Sequence, residues 1–170
     1  MDRGKAFLAE APENASFLDR RVTQQEGPVT VAVAVPDAAE TEALTGLPLY
    51  DQGIQPVWIE VRNGGPGQVR LSVASIDPEY YSPHEVAWMN RRGYSDEARA
   101  GMERWFYTNA IRRHVPPGES RSGFVFTRLA AGTKGFNVDV ISQELTSYNF
   151  TMDAAMDKLV AQLHESRTGI

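Results

Sequence analysis

The densest group of side chains able to do chemistry is Asp77, Glu79, Tyr80, Tyr81, His84 and Glu85. Carboxylates and a histidine this close in sequence can converge as a metal site or an acid/base pair. A plainer reading gives Ser82 and Glu85 to a helix cap, the tyrosines to a sheet edge and His84 to solvent. A single histidine with no second one at ligand spacing favours that plainer reading. Arg112, Arg113 and His114 follow a predicted helix, and suit either a bound anion or the negative end of the helix dipole. Trp58, Trp88 and Trp105 read as core or rim packing.

Two further stretches resemble catalytic motifs and fail on context. Gly118-Glu119-Ser120-Arg121-Ser122 lacks the second glycine of a nucleophile elbow, and it enters a strand instead of leaving one. Asn63-Gly64-Gly65-Pro66-Gly67 lacks the Lys-Ser/Thr ending of a phosphate cradle, and a strand follows where a helix is required. Nothing in the sequence assigns a catalytic residue, a metal ligand set or a cofactor.

The elements that position these residues follow from hydrophobic periodicity. Val57, Ile59 and Val61 share one parity, and so do Val69, Leu71 and Val73 beyond the Gly/Pro-rich break, which predicts a β-hairpin. Val29, Val31, Val33 and Val35 alternate with small residues, predicting a strand covered on both faces. An edge strand is predicted over 17–25. Asp37 and Glu40 have capping-box spacing and Gly46 a stop, predicting a helix over 38–45. Ser82-Pro83-His84-Glu85 gives an N-cap, Pro at the first helical position and Glu at the third, predicting a helix to about Asn90 that Gly93 ends. Ser95-Asp96-Glu97 opens another helix with acids in its first turn. Ala98, Met102, Trp105, Phe106 and Asn109 form its inward stripe. Phe124 and Phe126 predict a strand, with Phe136, Val138 and Val140 as its antiparallel partner. Met152, Ala155, Met156, Leu159, Val160 and Leu163 predict a C-terminal amphipathic helix starting at Thr151 or Asp153.

The fold class is therefore mainly β, an immunoglobulin-like antiparallel β-sandwich with a two-helix insertion at about 82–110 and a C-terminal amphipathic helix. The expected organisation is a flexible tail over 1–16, the sandwich over 17–141, and a linker with the terminal helix over 142–170. A chain of 170 residues can bury a core without staples. The formal charge of −5 argues against a nucleic-acid partner, which needs a basic stripe. No apolar run is long enough to predict a transmembrane segment. The absence of cysteine removes disulfides and thiolate chemistry but leaves the compartment open. The first residues do not read as a secretory signal, so the expectation is cytoplasm, or periplasm and cell envelope if a signal was removed.

Three segments carry a family resemblance: Gly53-Ile54-Gln55-Pro56-Val57-Trp58-Ile59-Glu60-Val61, Asp77-Pro78-Glu79-Tyr80-Tyr81-Ser82-Pro83-His84-Glu85-Val86-Ala87, and Pro117-Gly118-Glu119-Ser120-Arg121-Ser122-Gly123-Phe124-Val125-Phe126-Thr127. They resemble a run of motifs in uncharacterised bacterial envelope-associated proteins, often lipoprotein-like, some carrying the module beside a domain similar to the C-terminal part of LssY. The Pro-Gly-Glu turn before a Phe-rich strand is similar to that of immunoglobulin-like accessory domains. The resemblance spans about 22–141 and implies no catalytic residues.

The expected function is a non-catalytic protein-interaction or accessory module of a bacterial envelope protein. Its binding residues would be Asp77, Glu79, Tyr80, Tyr81, His84, Trp88, Arg112 and Arg113, because a sandwich carries variable function on its connections. One alternative is a metal-dependent or acid/base hydrolase centred on Asp77, Glu79 and His84. Another is a structural subunit that self-associates through residues 152–163.

Overall fold

The structure, a computed structural model, describes residues 4–130 and 134–154. Strand β2 (Val29–Ala34) sets the architecture because it is buried on both faces. Val29, Val31 and Val33 enter one core while Ala32 and Ala34 enter another. The valine side meets a second β-sheet; the alanine side lies beneath helices, where small side chains let the helical layer approach closely.

Two four-stranded antiparallel sheets result. The first runs β1 (Val22–Glu26), β2, β3 (Ile54–Asn63), β6 (Ser120–Arg128). The second runs β5 (His114–Val115), β4 (Val69–Ser72), β7 (Lys134–Ser142), β8 (Ser147–Ala154). With four helices among the described residues, the arrangement is mainly β and consistent with a β-sandwich. Val57, Ile59 and Val61 face Leu71, Val138 and Val140 across the inter-sheet core.

The helices are α1 (Ala38–Thr45), the single turn α2 (Val73–Ile76), α3 (Pro83–Asn90) and α4 (Asp96–Asn109). Asp37 caps α1 by accepting from the Glu40 N–H at 2.7 Å, while the Glu40 carboxylate accepts from the Asp37 N–H at 3.0 Å. Ser82 and Glu85 repeat this reciprocal pattern on α3, and Ser95 caps α4. Gly46 ends α1 at φ +71°, a left-handed conformation that suits a residue without Cβ. No helix among the described residues is long and apolar enough to cross a membrane.

The predicted two-helix insertion is present as α3 and α4, and it covers the outer face of the first sheet. Val86, Met102 and Phe106 pack on Trp58, Phe124 and Phe126. Phe106 meets Phe126 edge-on with ring centroids 5.3 Å apart, and Trp105 meets Phe106 at 5.1 Å. Such pairs add about 0.5–1.5 kcal/mol each beyond the area they bury. Residues 4–16, expected as a tail, lie against this layer. Lys5 bridges to Tyr94, and Phe7 meets Trp105 at 6.5 Å.

Several predicted connections take a different form. β3 and β4 are not a hairpin: the turn at 63–67 carries the chain from the first sheet to the second. Alternation reports a face, and two strands facing each other across a sandwich share the pattern of two strands side by side. Asn63, buried, fixes this crossing by donating from Nδ2 to the carbonyls of Gly67 at 2.8 Å and Val115 at 2.9 Å. For the same reason β6 and β7 are not partners but lie in opposite sheets. The predicted edge strand at 17–25 divides into a 3₁₀ turn at Ser16–Arg20 and then β1. Val73, expected in a strand, begins α2.

Residues 151–154, expected to begin a helix, continue β8, and Met152 is fully buried in the inter-sheet core. The apolar Phe150 and Met152 alternate across Thr151, so a strand buries both where a helix could bury only one against this sheet. The rest of the predicted terminal helix, and most of the expected self-association segment, lies outside the described residues.

Candidate functional site

The loop 77–81 is sewn to the outer edge of β6. Asp77 Oδ1 accepts from the Glu79 N–H at 2.8 Å, and Oδ2 accepts from the Arg128 N–H at 2.8 Å. Tyr81 donates its N–H to the Phe126 carbonyl at 2.8 Å. The Glu79 carboxylate lies 3.1 Å from the Arg128 guanidinium, which also sits over the Tyr81 ring at 5.3 Å. This part of the loop is therefore a clamp that blunts an edge strand.

His84 is elsewhere, on the exposed side of α3, with Nδ1 3.6 Å from the Glu103 carboxylate of α4. Glu85 serves the Ser82 cap, and the Ser82 N–H holds its carboxyl below the usual range, keeping it ionised. Asp77, Glu79 and His84 thus have separate partners. Among the described residues no three His, Cys, Asp or Glu side chains gather where they could hold a metal ion.

A second feature lies on the solvent face of the α3–α4 pair. Trp88 is 56% exposed, Met89 43% and Tyr107 75%. These are large apolar groups on helices whose other faces are anchored by Val86, Met102 and Phe106. The Arg91 guanidinium stacks over the Trp88 ring, 3.2 Å from its centroid. Arg99 Nε donates to the carbonyls of Arg91 and Tyr94, both at 3.1 Å, which joins the start of α4 to the end of α3. Trp88, Met89, Arg91, Arg92 and Arg99 line one open hollow. None of these three arginines has a carboxylate within ion-pair distance among the described residues.

A third feature is a cavity of about 260 Å³ between the two feet of the helical insertion. Tyr80, Tyr81 and Pro83 form the outgoing wall, Tyr107, Ala110 and Ile111 the returning wall, and the β6 segment 124–126 the floor. The returning foot is pinned by the Ile111 N–H, which donates to the Phe124 carbonyl at 3.0 Å. Arg112 and Arg113 also line the cavity. Arg113 donates from Nη2 to the Tyr80 hydroxyl at 2.7 Å, with its guanidinium 5.7 Å from that ring's centroid.

The predicted residues therefore separate into three places. Asp77 and Glu79 belong to the clamp, Tyr80, Arg112 and Arg113 to the cavity, and His84 and Trp88 to the helical face; Tyr81 joins the first two. Met89, Arg91, Arg92, Arg99 and Tyr107 were not among the predicted binding residues. Tyr107 carried a usable signal, because it is an aromatic residue off the inward stripe of α4. No protein-family model and no curated protein matches this chain.

Proposed function

We propose that this chain is a non-catalytic protein-binding module, and that its recognition face is the solvent side of the α3–α4 pair. The observation that carries this reading is the exposure of Trp88 and Met89 beside Arg91, Arg92 and Arg99. Trp, Tyr, Met and Arg are the residue types enriched where proteins meet, and Trp, Tyr and Arg dominate binding energy there. The helices are capped and anchored in a core, so little conformational freedom is lost on binding. The partner's complementary surface would be acidic and would hold a slot for the Trp88 indole.

The resemblance of segments 53–61, 77–87 and 117–127 to envelope-associated proteins supports placing this module, with an immunoglobulin-like sandwich, in a bacterial envelope protein. The test is a crosslinked pull-down of the tagged chain from its native host beside the Trp88→Ala variant. A protein captured by the native chain and lost with the variant supports the reading. Equal capture by both contradicts it.

A further inference from the structure

The cavity between the insertion's feet has a composition that selects a ligand class, independently of the helical face. Its walls and floor are aromatic and aliphatic, and among the described residues the only charged ones lining it are Arg112 and Arg113. Among the described residues no carboxylate lines it to neutralise the two guanidinium groups.

The polar groups are arranged for an acceptor. The Tyr80 hydroxyl accepts from Arg113 at 2.7 Å, which leaves its own proton free to donate. Arg113 keeps further N–H donors, and Arg112 has no hydrogen bond or ion pair among the described residues. A guanidinium matches a carboxylate in plane and spacing, and such charge-assisted bonds are about twice as strong as neutral ones. At about 260 Å³ the cavity falls just below the range of about 300–1,000 Å³ that suits drug-sized ligands. It has room for one aromatic ring or branched aliphatic chain.

We propose that this cavity binds a carboxylate carried on a single apolar group, with the apolar group between Tyr81 and Ile111 and the carboxylate on Arg112, Arg113 and the Tyr80 hydroxyl. Two sources supply that chemistry: a small aromatic or branched aliphatic acid, or the C-terminal residue of a polypeptide.

The experiment is an NMR titration of the full chain with phenylacetate, with phenylacetamide, and with a short peptide ending in phenylalanine as free acid or as amide. Phenylacetate or the free-acid peptide should shift the signals of Tyr81, Ile111 and Val125. Each neutral amide should need about tenfold more ligand, the loss expected from one charge-assisted bond. Arg112→Gln should weaken acid binding by about the same factor with the unfolding midpoint unchanged, because this side chain has no partner to lose among the described residues. A peptide acid much tighter than phenylacetate assigns the site to chain termini; comparable affinities assign it to small acids. Acids and amides binding equally, or no probe moving those signals, would overturn the proposal.

Discussion

The Tyr81 N–H donates to the Phe126 carbonyl at 2.8 Å, and this bond marks where the two-helix insertion leaves the sandwich. The insertion returns through the Ile111 N–H on the Phe124 carbonyl, two residues along the same strand edge. One edge thus carries both feet, protects itself from unwanted pairing, and floors the cavity between them.

The returning foot depends on Gly123. A Cβ there would lie 2.7 Å from the Ile111 nitrogen and 2.8 Å from the Asn109 carbonyl oxygen, contacts that backbone atoms cannot relieve cheaply. Gly123→Ala is expected to lower stability by about 1–3 kcal/mol, as overpacking does. Urea denaturation checks the magnitude, and faster exchange of the Ile111 amide would locate the damage.

Asp77 is expected to behave as a structural residue. Its two carboxylate oxygens accept from two solvent-exposed backbone N–H groups, so Asp77→Ala should cost about 1–2 kcal/mol by removing two charge-assisted hydrogen bonds. Asp77→Asn, which keeps one acceptor oxygen, should cost less. Equal, negligible losses by chemical denaturation would remove the clamp from the account.

Much of this layout is legible in the sequence. Asp37 with Glu40 and Ser82 with Glu85 announce their helices through local chemistry, and the structure forms both caps. The valine and alanine alternation of β2 announces two covered faces. What local pattern cannot convey is which strands pair. Val57 and Leu71 share a core from opposite sheets, and nothing in their spacing distinguishes that from a hairpin. Phe124 and Phe126 likewise point at the helices while Val125 points between the sheets. The cavity was illegible because its walls come from three distant segments that meet only on the β6 edge.

The end of the described chain gives a sharp test of strand against helix. Met152 is fully buried between the sheets, so Met152→Ala should cost about 2–5 kcal/mol. Hydrogen exchange should show the β8 amides that pair with β7 protected together. Rapid exchange throughout 147–154 would contradict the pairing.

Arg20 and Glu40 form a two-pronged ion pair at 2.6 and 2.9 Å that ties the N-terminal 3₁₀ turn to α1. The hydrogen bond from Arg20 holds the Glu40 carboxyl below the usual carboxylate range. Its stabilising contribution is therefore complete above that usual range and is lost as pH falls through the lowered folded value. Because the pair is partly solvent-exposed, the contribution should be about 1 kcal/mol at most. Glu40→Gln should flatten the acid limb of a stability–pH profile relative to the native chain; superimposable profiles would contradict the linkage.

Recognition through the α3–α4 face is tested most directly by placing a photo-crosslinking amino acid at Met89, at Arg92, and at Arg70 on the second sheet, in the native host. Met89 and Arg92 line the exposed hollow of the helical face, and Arg70 is exposed away from it. The expected result is one protein crosslinked from both helical positions and not from Arg70, with the crosslink abolished by Trp88→Ala. Equal labelling at all three positions, or none at the helical pair, would contradict the account.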